Sequence, residues 1–448
     1  MEIFFLKFQF LFLFVLYLFA FYKLFKKGFG FSLGLIFSIL YFIFIPLLVF
    51  SFTDEIEISR VDFYATLIKD IRIKENISSS FFLIGYLYSF LLYVFFSDFL
   101  LSKRWMYNLI IRDYFIYKWK RFFLLWLIFL FLLFYLSGVL DGGHWYKSRD
   151  SFRVESGLIA VILDYVTISF KLIFISVLIS LFYFKKINKY LFLLLVLIFS
   201  ILDVLFTGNR IFLFILFASI SIIVIDKYKW KTLFFGFSVI PLGYFMSIYQ
   251  RIRGSLFLKG IPDRSEAYDL IKDTIINHPP QVKDFLLGIS ESVNFNVLHM
   301  IFETVSFKNI LYGETYLKVF TYFVPRSIWA DKPISITQVT GNLFAPKVEH
   351  LSLVATMFGE MHLNFYFLGL IIMPILLFFT SRFFVILFSE GKFRGVILFL
   401  LGILMFRMSF SDILLYGVFT SAMYHFFLYM NNIKRSVFNS STVNNYQK

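Results

Sequence analysis

Long apolar runs fill most of this chain, and short clusters of basic residues punctuate them. Runs long enough to cross a hydrocarbon core of ~30 Å as helices lie at residues 3–22, 31–52, 81–101, 122–140, 158–184, 190–206, 211–225 and 232–249, then at 364–379, 395–409 and 413–430. The pattern predicts an all-α polytopic membrane protein with about 11 (10–12) transmembrane helices. Between the eighth and ninth runs lies one long polar interval. The expected organisation is therefore N-terminal transmembrane helices in 1–249, a large extracytoplasmic loop in 250–352, C-terminal transmembrane helices in 353–430, and a polar tail, 431–448, expected to be cytoplasmic and disordered.

The loop carries helical patterning of its own. Residues 265–278 (SEAYDLIKDTIINH) open on a cap-like Ser265, place Tyr268, Ile271 and Ile275 on one face, and stop at Pro279-Pro280. Residues 282–305 repeat the pattern with Phe285, Ile289, Val293 and Val297, interrupted by Glu291, Asn294, Asn296 and His299. These amphipathic helices are too polar to span lipid. They are expected either to lie on the outer leaflet or to cap the membrane domain.

Charge then orients the chain. With the N-terminus outside, segments 23–27, 103–121, 185–189, 226–231, 382–394 and the tail from Lys434 face inward and together carry +18. The outward segments 54–75, 141–155, Arg210 and 251–349 balance to 0. This positive-inside asymmetry accounts for the formal net charge of +15 without a nucleic-acid partner. The first run follows Met1-Glu2-Ile3 with no basic segment and no small-residue cleavage site after it. It reads as a retained span rather than a cleaved leader.

Composition agrees: 60% of residues are apolar, 16% are charged, and the mean hydropathy is +0.80. A soluble domain of this length would need more polar surface. The 68 phenylalanines read as lipid-facing surface. Cysteine is absent, which excludes disulfides, thiolate metal sites and cysteine nucleophiles. The six histidines are scattered. Neither metal-ligand spacing, a phosphate-cradling loop, a dinucleotide fingerprint, a nucleophile elbow nor a paired Asp-x-Asp is present. No metal and no cofactor are expected, and an ATP-driven pump is disfavoured.

Ionisable residues in or beside apolar runs carry a cost that usually has a purpose. On the topology above, Asp164, Asp203, Arg210, Glu360, Arg407 and Asp412 gather at the outer-leaflet level, and Lys171, seven residues after Asp164, is expected to pair with it. They serve either as helix-locking ion pairs or as the lining of a polar cavity opening outward. Arginine is the chemistry that remains. Arg210 ends a Gly-Asn-Arg turn, Arg251 and Arg253 stand in YQRIRG (249–254), and Arg326 and Lys332 lie in PRSIWADKP (325–333). A guanidinium binds phosphate oxygens bidentately and keeps its charge, which suits a lipid-linked pyrophosphate. For Arg251 and Arg253, interfacial anchoring is the alternative.

Three segments resemble a known family. YFVPRSIWADKP (322–333), preceded by Gly313-Glu314 and Tyr316, resembles the motif of O-antigen and related oligosaccharide repeat-unit polymerases of the Wzy type, as does GEMHLNFYFLG (359–369). The Gly208-Asn209-Arg210 turn resembles the Gly-[Ser/Thr]-Arg of that family and of O-antigen ligases, and His362 with Asn364 two residues on approximates the ligases' loop histidine. The resemblance implies a GT-C-like glycosyltransferase of the bacterial inner membrane, using a polyprenyl-pyrophosphate-linked oligosaccharide as donor and a second one as acceptor. It needs no metal, because the leaving pyrophosphate carries its own charge. Membrane lipid surrounds it, and a chain-length regulator protein is a further candidate partner. On this reading Arg210, Arg253 and Arg326, supported by Arg251 and Lys332, meet the pyrophosphate. Glu360 is the first candidate for the general base, with His350 and His362 as alternatives. A lipid-linked oligosaccharide flippase or an O-antigen ligase remains the rival reading.

Overall fold

The computed structural model describes residues 2–52, 77–100, 119–136, 158–207, 211–228, 292–344 apart from 323, 325–327 and 330, 352–388 and 394–444, together with positions 269, 272, 273 and 276. All regular structure among the described residues is helical. The helices are α1 (Glu2–Lys27), α2 (Phe31–Ile39), α3 (Ile45–Phe52), α4 (Ile77–Leu100), α5 (Trp119–Leu136), α6 (Leu158–Tyr183), α7 (Lys189–Thr207) and α8 (Ile211–Tyr228). After these come α9 (Ser292–Thr304), α10 (Glu314–Thr321), α11 (Ile336–Phe344), α12 (Thr356–Phe365), α13 (Gly369–Leu387), α14 (Arg394–Arg407) and α15 (Phe410–Asn444). Among the described residues, five stretches are long and apolar enough to cross a membrane: Phe4–Lys27, Phe31–Leu48, Ser78–Ser97, Ile159–Tyr183 and Thr356–Leu387. The protein is thus built as a helical membrane protein.

The apolar runs fall where the pattern puts them for α1 to α8, α14 and α15, while the run at 232–249 lies outside the described residues. A π-helical turn, Leu40–Phe44, joins α2 to α3. Pro46 follows two residues after it; lacking an N–H and crowding the carbonyl four residues back, it cannot continue a regular α-helical ladder. The ninth run differs most. Its helix begins at Thr356 rather than near residue 364, and a break at Tyr366 (φ 50°) separates α12 from α13. Glu360, His362 and Asn364 look too polar for lipid, but α12 buries them in protein. The tail also departs from expectation, since α15 runs on to Asn444. Residues 431–444 contain no Gly or Pro to stop a helix already nucleated.

α14 is the centre of the bundle and is buried without interruption from Val396 to Phe406. α2 packs against it at backbone distance. A Cβ on Gly34 would collide with Phe399 O, and one on Gly402 with Phe31 O; small residues permit such approach between membrane helices. α6 joins α14, α15 and α5, and α4 joins α1 and α13. On α1, Leu6, Phe10, Leu13, Tyr17, Ala20 and Leu24 form one buried stripe at alternating four- and three-residue steps, while Phe4, Phe8, Leu11, Phe12 and Phe19 stay exposed for lipid.

One expectation is corrected here. Lys171 hydrogen-bonds Asp203 of α7, with the Phe212 ring centroid 4.0 Å from its ammonium, and not Asp164. Seven residues along one helix separate side chains by about 10 Å of rise, too far for a pair, whereas a neighbouring helix brings Asp203 alongside. α9 fits the second of the two placements expected for it, packed on the other helices. Residues 294–299 are all buried, because the helix packs on α4, α12 and the π turn. The helix expected at 265–278 falls almost wholly outside the described residues.

Candidate functional site

The site is assembled on the turn before α10. Leu311 N–H donates to Leu363 O at 2.9 Å, tying this turn to the end of α12. Gly313 then takes φ +86°, a left-handed conformation that only glycine adopts without strain, and caps α10 at Glu314. That turn sets Thr315 over α12. Its hydroxyl donates to Glu360 Oε1 at 3.0 Å and accepts from Asn364 Nδ2 at 2.8 Å, while the same Asn364 amide donates to Glu360 O at 2.8 Å.

The second oxygen of Glu360 reaches the last helix. Oε2 accepts the Phe410 N–H at 2.8 Å, one of the donors that the first turn of α15 leaves without an intrahelical partner. Ser409 supplies a second cap: its hydroxyl accepts from Asp412 N at 3.2 Å and donates to Asp412 Oδ2 at 2.5 Å. Glu360 is 2% exposed, and one carboxylate so placed binds α10, α12 and α15 together.

Beside this buried network lies a more open one. The Asp412 side chain keeps 25% of its surface exposed. Its Oδ1 accepts from the Tyr165 hydroxyl at 3.2 Å and lies 3.7 Å from Lys318 Nζ of α10. Tyr165 sits edge-on to Tyr322 (ring centroids 5.3 Å), tilted against Tyr416 (4.8 Å) and stacked on Phe419 (5.3 Å), which forms an aromatic wall next to the carboxylate. The ammonium groups of Lys318 and Lys332 each lie 5.3 Å from the Tyr322 ring centroid.

Of the residues singled out from sequence, the structure brings Glu360 and Lys332 to this region, together with Asp412. Lys332 is not directed at open space. Its ammonium donates to Tyr322 O and to Val324 O (2.9 Å) and so holds the loop. His362, on the same helix as Glu360, is enclosed by the rings of Phe82 (4.5 Å), Phe302 (4.9 Å), Tyr366 (4.9 Å) and Tyr86 (6.0 Å). It is fully buried, and neither ring nitrogen has a hydrogen-bond partner. His350, Arg210, Arg251, Arg253 and Arg326 lie outside the described residues.

Thr315, Lys318 and Tyr165 were not anticipated. Thr315 stands between two motif residues, and Lys318 follows Glu314 by four positions on a short helix, so both were within reach of a closer reading of that segment. Tyr165 adjoins Asp164, whose charge drew the attention instead. Chemically, the arrangement offers an accessible carboxylate, an ammonium and a phenol against aromatic rings. Such a set can orient a hydroxyl-rich ligand, accept its proton and neutralise an anion. Comparisons with protein-family models, with curated proteins and with solved structures find no match to this chain.

Proposed function

We propose that the protein is an oligosaccharide repeat-unit polymerase, a metal-independent membrane glycosyltransferase of GT-C-like architecture with about eleven spans. On this reading it joins polyprenyl-pyrophosphate-linked repeat units of O-antigen or a related surface polysaccharide at the outer face of a bacterial inner membrane. The observation that carries the proposal is the convergence of two of the family-like segments. Tyr322 and Lys332 of 322–333, with Thr315 and Lys318 just before that segment, and Glu360 and Asn364 of 359–369 meet around the start of α15.

In the proposed reaction, an acceptor hydroxyl of one lipid-linked unit attacks the anomeric carbon of the other. A new C–O bond forms, the bond to the pyrophosphate breaks, and the electron pair leaves with the phosphate oxygen. Asp412 takes the hydroxyl proton, because it is the carboxylate of the site that solvent and substrate reach. Glu360 becomes a positioning residue, since both its oxygens are engaged in holding α10 and α15. Tyr165, Tyr322 and Phe419 offer ring faces for sugar. Arg210, Arg251, Arg253 and Arg326 are the proposed pyrophosphate contacts on the segments 208–210, 249–254 and 325–333.

The saccharide ladder of a deletion strain tests this reading. Loss of long chains with single capped repeats retained is the expected result. Loss of all capping, single repeats included, would identify a ligase. Accumulation of lipid-linked repeats on the cytoplasmic face would identify a flippase. Alanine in place of Arg210, Arg253 or Arg326 should reproduce the deletion ladder, and normal long chains in all three variants would remove these residues from the mechanism.

A further inference from the structure

We infer that Lys318 contacts the pyrophosphate of the lipid-linked donor, an assignment that rests on the polymerase reading above. Lys318 is nine-tenths buried, yet its ammonium is not hydrogen-bonded. The nearest carboxylate oxygen, Asp412 Oδ1, is 3.7 Å away, beyond hydrogen-bond length. That oxygen already accepts from Tyr165, and Oδ2 accepts from Ser409. The Tyr322 ring attracts the charge from 5.3 Å but takes no N–H in hydrogen-bond geometry.

An ammonium withdrawn from water needs acceptors to offset its desolvation, and an unsatisfied one requires an explanation. Lys332 shows the contrast. It lies at the same distance from the same ring, but its donors are engaged by the carbonyls of Tyr322 and Val324. Lys332 therefore braces the loop, and of these two described lysines Lys318 is the one left to receive a ligand. The Lys318 side chain keeps 11% of its surface exposed, 3.7 Å from the Asp412 carboxylate, which keeps 25%. The ligand that fits is an oxyanion with strong acceptor oxygens, for which lysine serves as a point charge. In the proposed reaction that oxyanion is the phosphate on the leaving side, while Asp412, the adjacent negative group, repels it and faces the acceptor hydroxyl.

The test is binding of farnesyl pyrophosphate, with farnesol as the uncharged control and inorganic pyrophosphate as competitor, to the full chain in lipid nanodiscs. Lys318→Met should weaken farnesyl pyrophosphate binding by about tenfold or more, as expected when one partner of a close charge pair is removed. Its farnesol binding should be unchanged. Asp412→Asn, which removes the opposing charge, should tighten pyrophosphate binding. If Lys318→Met does not fold, the Lys318→Met/Asp412→Asn variant removes both charges together and should bind about tenfold or more weakly than Asp412→Asn alone. Wild-type affinity in folded Lys318→Met, or affinity equal to that of Asp412→Asn in the double variant, overturns the assignment of Lys318 and leaves the polymerase reading standing. Farnesyl pyrophosphate binding no tighter than farnesol in the wild type overturns both. Competition by inorganic pyrophosphate at equal concentration would show that the site reads the free anion, and overturns the lipid-linked assignment.

Discussion

Glu360 Oε2 accepts the Phe410 amide hydrogen at 2.8 Å, joining two residues fifty positions apart and fixing the start of α15 to the middle of α12. With Oε1 held by Thr315, the carboxylate acts as a three-way joint. This separates two roles that a sequence assigns equally well to a glutamate. A joint needs acceptor oxygens, whereas a base needs an ionisable, accessible one. Glu360→Gln keeps one acceptor oxygen and should retain long-chain synthesis, with stability lowered by about 1.5–3 kcal/mol, the range for a hydrogen bond to a charged group. Asp412→Asn should do the reverse, folding normally while slowing chain growth by a factor on the order of 10²–10⁴, the span ascribed to general-base catalysis. Thermal unfolding in detergent and polymerisation of purified lipid-linked repeats measure the two. An inactive Glu360→Gln protein of unchanged stability would return the base to Glu360.

His362 is expected to be dispensable. Its imidazole is boxed by four aromatic rings with both nitrogens unpartnered, so it packs as an aromatic group and carries a buried polar penalty. His362→Phe should preserve the ladder and hold or raise the unfolding midpoint. A collapsed ladder in a protein that still folds would show that the imidazole does chemistry in another conformation.

The helical pattern was legible because long apolar runs dictate it: each described apolar run became a helix, and α1 wears its buried stripe openly in the order Leu6, Phe10, Leu13, Tyr17. The site was legible only as segments. Glu360 and Asp412 stood out because carboxylates beside apolar runs are costly, but nothing along the chain says that Thr315 and Phe410 both bind the same one. The same limit misled the pairing of Lys171. Spacing ranks partners within a helix, and the true partner came from the next one. Burial was equally unreadable in α9, where Asn294, Asn296 and His299 suggested a wet face and turned out to be enclosed.

His299 makes stability depend on pH. It is fully buried in α9, outside the candidate spans, shares a 2.8 Å hydrogen bond through Nδ1 with Ser79 Oγ, and leaves Nε2 unpartnered. Burial pushes the imidazole down from 6.5 to about 4. A lowered histidine value means that the unfolded chain binds the proton first. Its contribution is therefore fully present above pH 6.5 and is lost as pH falls toward 4, by roughly 3 kcal/mol at the lower end. The midpoint of thermal unfolding should fall across that window, and His299→Gln should flatten the fall. A wild-type midpoint constant from pH 7 to pH 4 would contradict the assignment.

The Lys171–Asp203 pair should behave as two charges that are tolerable only together. Both side chains are buried among apolar residues of α6 and α7, and the Phe212 ring covers the ammonium. Removing one partner leaves an uncompensated charge in a low-dielectric interior, which costs about 3–5 kcal/mol, whereas replacing both with apolar residues of similar volume is often neutral. Lys171→Met and Asp203→Leu should each lower the yield of folded protein sharply, and the double variant should recover most of it. If the pair only locks helices, the double variant also restores the wild-type ladder. A double variant that folds like the wild type but makes no long chains would instead place this pair in the reaction, as part of a polar path reaching deeper than the Asp412 site.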